Sequence, residues 1–320
     1  MKSELPCALC GSHDVDVVAS VDRDGKPLQN VLCHECGLVW VDPRPSDEEL
    51  NKFYAESYRS NYKGAAEPKM KHCYREMLRA NQRVDRLSSV YKTGDKVLDI
   101  GAGAGFFSYV LSGSDVDYQG IEPNQGYAGF ARERLGLEGV KEGYLQDIET
   151  WENFDIITIN HVFEHLPNPN ESLMHMHKLL KVGGHLIMEV PNAEADYHSP
   201  NKVFHVGHLY WYNPETLTAL AIKNGFSVVD LQIVPGTMHL NMVMRKDAQE
   251  KIKSFSSNYV GNYEKMRSFF EKRTVLAHYL SKTPYSRFLR KMWKYAGEYR
   301  YVKKYNDKIE LIKSVSRKSI

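Results

Sequence analysis

Two sets of residues have the types and spacing to do chemistry. Four of the five cysteines form two pairs, Cys7-x2-Cys10 in "CALCG" and Cys33-x2-Cys36 in "CHECG", with 22 residues between the pairs. Paired knuckles of this kind offer four thiolates, the donor set of a tetrahedral Zn2+. Gly11 and Gly37 close the two knuckles; each can take positive φ and curl backbone N–H groups toward the sulfurs. A redox CxxC, or two unrelated pairs in a flexible N-terminus, are the other readings, and the duplication argues against both. Cys73 reads as an ordinary helix residue.

The second set is "VLDIGAGAGFFS", residues 97 to 108, an apolar strand that breaks into alternate glycines and then a helix. Gly101, Gly103 and Gly105 let the backbone turn tightly, admit a ligand close to the main chain and expose N–H donors. Dinucleotide sites use a related G-x-G-x-x-G, so the glycines alone decide little. Asp99 would repel a pyrophosphate there but would organise the turn or meet an ammonium-bearing ligand. Glu122 in "GIEPN" follows the next strand about 20 residues on, where an acid takes both hydroxyls of a ribose. Asp147 in "LQDIE" follows a third strand, placed to accept from an adenine amino group. The plain alternatives remain open: a turn-capping carboxylate at Asp99 and solvated loop acids at Glu122 and Asp147.

These residues need a scaffold, and the chain alternates strand and helix patterns from residue 95 onward. The strands are "KVLDIG", "YQGIEP", "FDIITIN", "HLIMEVP", "SVVDLQIV" and "HLNMVMRK". That alternation predicts an α/β fold with a doubly wound, mainly parallel sheet. Upstream, residues 14 to 45 alternate in strand fashion around Asp24-Gly25, as a small ribbon would. Ser46 is an expected N-cap, and residues 47 to 92 read as helices rich in tyrosine at 54, 58 and 62. Beyond 247 the chain turns helical and basic. The expected organisation is a zinc ribbon over 1–45, a helical linker or lid over 46–92, a Rossmann-like domain over 93–246 and a basic helical tail over 247–320.

The middle segment resembles the class I S-adenosylmethionine-dependent methyltransferases over about residues 75 to 246. The resemblance rests on "VLDIGAGAGFFS", "GIEPN", "QDI", "FDIITINHVFEHLPNP" and "LLKVGGHLIMEVPN", in that order and at family-like intervals. It implies S-adenosyl-L-methionine as cofactor, a seven-stranded sheet and an antiparallel seventh strand, which "HLNMVMRK" fits. It also implies that Asp99, Gly101, Ala102 and Gly103 line the methionine end and that Glu122, with Pro123 beside it, binds the ribose. Asp147 and Ile148 would flank the adenine, and Asn160 and His161 would stand near the sulfonium.

Methyl transfer from a sulfonium is an in-line displacement, and a hydroxyl or carbon-acid acceptor must also lose a proton. Histidine suits that task because its pKa lies near working pH. Of 13 histidines, two clusters stand out: "NHVFEHL" at 160 to 166 and "VFHVGHLYWYNPETL" at 203 to 217. The second resembles the segment before the sixth strand in sugar methyltransferases that carry an N-terminal four-cysteine zinc domain. In the C-methyltransferases of deoxysugar nucleotides that segment holds a Glu-His pair. His208 matches the histidine, while Gly207 stands in place of the glutamate, and the C-terminal domain of those enzymes is longer than this tail. The expectation is therefore O-methylation of a sugar hydroxyl in a nucleotide sugar or surface glycan, with His208 as base and His161 as a second catalytic histidine. The bland reading has His205 and His208 brace a lid. The alternatives are a C-methyltransferase of a deoxysugar nucleotide, an RNA methyltransferase and a non-catalytic cofactor-binding module. The first cluster resembles the Glu-x-x-Glu-His metal site of some O-methyltransferases, with His161 for the first Glu and His205 or His208 completing it; structural use of Glu164 and His165 is the default.

Charge is uneven behind a formal net charge of +2: residues 246 to 320 hold 19 Lys and Arg against 7 Asp and Glu, whereas the first 245 hold 23 against 33. An acidic body with a basic tail favours an anionic partner for the tail. In "RFLRKMWKYAGEYRYVKKY" aromatic and basic residues interleave, which fits a helix on an anionic membrane surface, a nucleic-acid groove or a solvated hairpin packed on the body. The ribbon is itself acidic, which argues against nucleic acid. No run of about 18 apolar residues offers a membrane span, and the N-terminus lacks the features of a signal peptide. The expected location is the cytoplasm, with peripheral contact at the inner face of the membrane.

Overall fold

The computed structural model describes residues 1–46, 48–49, 67–88, 90–247 and 255–317, so Tyr54, Tyr58 and Tyr62 of the expected lid lie outside the described residues. Ser46 does cap its turn: its Oγ accepts from the Glu49 N–H at 3.2 Å, and Glu49 Oε2 accepts from the Ser46 N–H at 2.8 Å. Contacts gather the chain into two units. One holds 1–56, 161–177 and 188–289; the other holds 57–160, 178–187 and 290–320.

In the first unit, strands β1 (Val15–Val21), β2 (Pro27–Cys33) and β3 (Val39–Val41) form an antiparallel ribbon. A distant strand, β9 (Tyr210–Trp211), joins its edge by pairing Val39 with Trp211 and Trp40 with Tyr210. Covering that edge removes a row of unpaired backbone groups. Leu32, Val39, Ala193, Phe204, Trp211 and Met266 pack as one apolar cluster behind the sheet. The unit also contains helices α4 (Pro169–Leu179), α5 (Pro214–Lys223), α6 (Asn262–Lys272) and α7 (Val275–Leu280). Buried Asn262, at the start of α6, donates Nδ2 to the Cys36 carbonyl at 2.7 Å and accepts from Asn213 Nδ2 at 2.7 Å. A Cβ on Gly37 would sit 2.6 Å from that Nδ2, so only glycine fits.

The second unit carries α1 (Met70–Leu87), α2 (Phe106–Leu111) and α3 (Gln125–Gly129). On α1, Cys73, Met77, Ala80, Val84 and Leu87 recur at helical spacing and are buried, which confirms Cys73 as a packing residue. Strands β4 (Lys96–Ile100), β5 (Asp117–Glu122), β6 (Val140–Glu142) and β7 (Phe154–Asn160) pair in parallel. With β8 (Leu180–Val190), β10 (Phe226–Ile233) and β11 (Leu240–Lys246), the seven-stranded sheet runs β10-β11-β8-β7-β4-β5-β6. Strand β11 lies antiparallel to β10, as expected of "HLNMVMRK". Strand order reverses beside β4: β5 and β6 succeed it on one side, and β7 on the other. Ligands of open α/β sheets bind at such a reversal, outside the carboxyl ends of the strands.

The C-terminal helices are α8 (Thr283–Val302) and α9 (Lys308–Val315). Asn81 on α1 donates to the Val315 carbonyl at 2.9 Å, which ties the end of the chain to that helix.

Candidate functional site

The buried strand β4 ends at Ile100 and enters the glycine turn with φ of +72° at Gly101, +56° at Gly103 and +79° at Gly105. This left-handed backbone excludes side chains, as the alternate glycines foretold. Hydrogen bonds lock the turn onto β5. Gly101 and Ala102 donate N–H groups to the Ile121 carbonyl at 2.8 and 3.0 Å, and Gly103 donates to Glu122 Oε2 at 2.8 Å. Asn124 donates to Glu122 Oε1 at 2.8 Å, so each carboxylate oxygen keeps one lone pair for a further donor. A Cβ on Gly103 would meet nothing within 4 Å, which leaves that face of the turn open.

Asp99 is 4% exposed and accepts from Thr158 Oγ1 at 2.7 Å. Burial pushes its carboxyl up to about 6, against the Thr158 hydrogen bond and the charge of Arg83. Burial also raises Glu122, opposed by its two backbone donors. Of the remaining expected cofactor residues, Ala102 is buried, Ile148 and Asn160 are half-buried, and Pro123 is exposed. Asp147 is exposed, and its Oδ2 accepts from the Tyr144 N–H at 2.7 Å, capping a 3-10 turn.

In the other unit the two expected histidine clusters meet. His161 follows Asn160 directly, in the left-handed region at φ +56°. Its Nε2 lies 3.0 Å from Glu189 Oε1 and its Nδ1 3.5 Å from Glu164 Oε1. Burial pulls this imidazole down, but the two glutamates outweigh it and hold the pKa at about 9. At neutral pH this favours the protonated His161, which donates hydrogen bonds to the two glutamates. Glu164 is 1% exposed, with His208 Nε2 at 3.8 Å and His165 Nε2 at 3.9 Å. Among the described residues neither Glu164 oxygen has a hydrogen-bond partner of normal geometry. Burial raises Glu164, but His161 and His165 outweigh it and keep it a carboxylate. His208 is driven well below the usual histidine range by burial and then by the neighbouring histidines, and His205 falls to about 3 through burial and the charge of Arg23. His208 is thus a neutral imidazole whose Nδ1 has no hydrogen-bond partner among the described residues. Two members escaped sequence reasoning: Glu189, at the end of β8, and His239, whose Nδ1 lies 3.5 Å from Glu189 Oε1. The only signal for Glu189 was an acid inside the apolar run "HLIMEVP"; His239 gave none.

The four cysteine sulfurs lie within 4.8 Å of one another, with 3.5 Å between Cys7 and Cys36 and 3.4 Å between Cys10 and Cys33. A tetrahedral Zn2+ with Zn–S bonds near 2.3 Å sets sulfurs about 3.8 Å apart, so the donor set and its size both fit. Gly11 and Gly37 take φ of +82° and +71°, and their N–H groups close the knuckles onto the Cys7 and Cys33 carbonyls at 2.9 and 3.0 Å.

A strand-order reversal, a glycine turn and a buried acid at the end of the next strand define a nucleoside-binding α/β domain, and residues 70–231 match the family described as "Methyltransferase domain". The chain belongs to that family, and its class is that of the S-adenosylmethionine-dependent methyltransferases. It is 28% identical over 121 residues to the ubiquinone biosynthesis O-methyltransferase of Proteus mirabilis, covering 36% of this chain and 49% of that protein. It is 30% identical over 105 residues to the protein of that name from Pseudomonas aeruginosa, covering 31% and 45%. The chain spans about half the length of the curated relatives it matches. The solved 1,6-didemethyltoxoflavin-N1-methyltransferase of Burkholderia thailandensis is similar at 19% identity and a TM-score of 0.46, covering 68% of this chain and 96% of that one.

Two outcomes follow from this geometry. The folded state binds a proton at Asp99 between the usual 3.8 and about 6, so its contribution to stability is greatest below pH 4 and is lost as pH rises through 6. Asp99→Asn should flatten that limb, by up to roughly 3 kcal/mol, in urea melts of the cofactor-free protein between pH 4 and 7; an unchanged slope would show that Asp99 titrates normally. Glu122→Ala should weaken S-adenosylmethionine binding about tenfold or more in calorimetry, the cost of a charge-assisted hydrogen bond. A change within about twofold removes the ribose assignment.

Proposed function

We propose that this protein transfers a methyl group from S-adenosylmethionine to a hydroxyl, and that the acceptor is a sugar hydroxyl of a nucleotide sugar or surface glycan. The observation that carries the reading is His208: an imidazole held below the usual histidine range, whose buried Nδ1 has no hydrogen-bond partner among the described residues and whose Nε2 lies 3.8 Å from the buried carboxylate of Glu164. The names of the matched relatives, O-methyltransferases, support oxygen as the acceptor atom. The sugar rests on the resemblance of the segment around His208 and on the four-cysteine ribbon.

The bound donor supplies a methyl group activated on a sulfonium. Gly101, Ala102 and Gly103 hold its methionine end, with Asp99 facing its ammonium group. Glu122 accepts from the ribose hydroxyls on its two remaining lone pairs, beside Pro123, while Asp147 and Ile148 flank the adenine. Asn160, at the end of β7, borders the sulfonium. His208 would take the acceptor's proton as the acceptor oxygen bonds to the methyl carbon and the bond from that carbon to sulfur breaks, with S-adenosylhomocysteine leaving as the second product. The resulting imidazolium is stabilised by Glu164, whose carboxylate already carries a compensating charge. His161 stays protonated and keeps Glu164 and Glu189 in place. Cys7, Cys10, Cys33 and Cys36 hold a structural Zn2+ that fixes the ribbon.

A second reading has its own support. Gly207 replaces the glutamate of the sugar C-methyltransferases, yet Glu164 stands 3.8 Å from His208 Nε2 and restores a Glu-His pair from another part of the chain. That pair suits a carbon acid, so the position of the methyl group in the product distinguishes the readings.

Replacing His208 by Ala should lower turnover by about 100-fold or more while donor affinity is retained. Unchanged turnover would remove His208 from the mechanism. Elemental analysis of the purified protein should find one zinc per chain, lost in Cys33→Ser. Metal that survives Cys33→Ser, and whose chelation stops turnover, would instead place an ion among Glu164, His165 and His208, whose ligand atoms lie within 4.8 Å of one another.

A further inference from the structure

Helix α8 exposes the residues that a packed helix buries. Tyr285, Phe288, Leu289, Met292, Trp293 and Tyr299 recur at intervals that place them within an arc of about 140° at 100° per residue. Such an arc ordinarily faces a core. Each of these side chains is exposed, Trp293 to 77%, and every residue from 288 to 297 is exposed. The one buried residue of the helix is an acid, Glu298, whose Oε2 accepts from Arg75 Nε at 2.6 Å. The Arg75 guanidinium also lies over the Tyr295 ring, 4.9 Å from its centroid. A charged contact therefore anchors the helix, and its apolar arc is left bare.

Charge identifies the occupant. Arg290, Lys291, Lys294 and Arg300 share the exposed surface, Lys303 and Lys304 follow directly, and the only acid of the helix is turned inward. Protein interfaces are depleted of lysine at their centres. Single-stranded nucleic acid would use the aromatic rings but leave Leu289 and Met292 without a role. A lipid surface uses every part: aliphatic and aromatic side chains enter the acyl boundary, Trp and Tyr sit at headgroup level, and Lys and Arg reach anionic headgroups. Among the described residues no helix is long and apolar enough to cross a membrane, so such a contact is interfacial.

We propose that α8 is an interfacial anchor that seats the protein on an anionic lipid surface. The inference stands on the helix alone and is independent of the methyl-transfer reading. Its test is co-sedimentation of the full chain with phosphatidylcholine vesicles, with and without phosphatidylglycerol, at low and high salt. Binding should need phosphatidylglycerol, weaken with salt, and shift tryptophan emission to the blue. The triple variant Arg290→Gln, Lys294→Gln, Arg300→Gln should bind about tenfold or more weakly. Leu289→Ser with Trp293→Ser, both at exposed positions, should abolish the blue shift while circular dichroism stays unchanged. Absence of binding at low salt, or equal binding to neutral vesicles, would overturn the proposal. So would a dimer in sedimentation velocity that the Leu289→Ser, Trp293→Ser variant dissolves, which would assign the arc to a second copy. Retention of single-stranded RNA in place of vesicles would assign it to nucleic acid.

Discussion

The Gly103 N–H donated to Glu122 at 2.8 Å couples the two parts of the cofactor side of this protein. It joins the turn after β4 to the acid that ends β5, so the main-chain donors and the carboxylate proposed to accept from the ribose are held together. The bond exists because Gly103 sits at φ +56°, which points its amide toward β5 while its other face stays open. Any side chain in that conformation would be strained and would stand where the ligand approaches. Burial raises the cost of ionising Asp99 and Glu122, a burden that a charged or hydroxylated ligand can offset.

A different balance governs the histidine ring. Two buried glutamates, Glu164 and Glu189, share one imidazolium, His161, whereas His205 and His208 are pushed below the usual histidine range, by burial first and then by neighbouring positive charge. Removing one partner of such a group leaves an uncompensated buried charge, which costs far more than the intact pair contributes. The ring thus holds His161 as a donor and His208 as an acceptor, although the two are the same residue type. Their roles differ because His161 touches two carboxylates, whereas His208 is flanked chiefly by other imidazoles.

The ribbon and the tail show two ways to treat exposed structure. The β3 edge of the ribbon sheet is covered by Tyr210–Trp211, and its knuckle turn is fixed by Asn262. The tail does the reverse: the Glu298–Arg75 contact turns the one acid of α8 inward and leaves its apolar arc and its basic residues outward. A core-facing stripe and a lipid-facing stripe have the same period, so the pattern of residues cannot tell them apart.

Local constraints were legible in the chain itself. The alternate glycines dictated a left-handed turn, strand periodicity dictated the doubly wound sheet and its strand ends, and the cysteine spacing dictated two matching knuckles. Each depends on residues close together, where backbone sterics and side-chain period decide. What the sequence left open depended on residues far apart. It offered Gly207 where a glutamate was expected and raised a grouping of Glu164 and His165 with His205 or His208 only as an alternative, and folding chose His208. It gave only an acid in an apolar run as a sign of Glu189 and none of His239, and these two segments join His161. It presented Asp147 as an adenine contact, whereas the fold also uses its carboxylate to cap a turn. Protonation states followed the same rule: a histidine's pKa is set by the burial and charges around it, and tertiary structure alone assembles those.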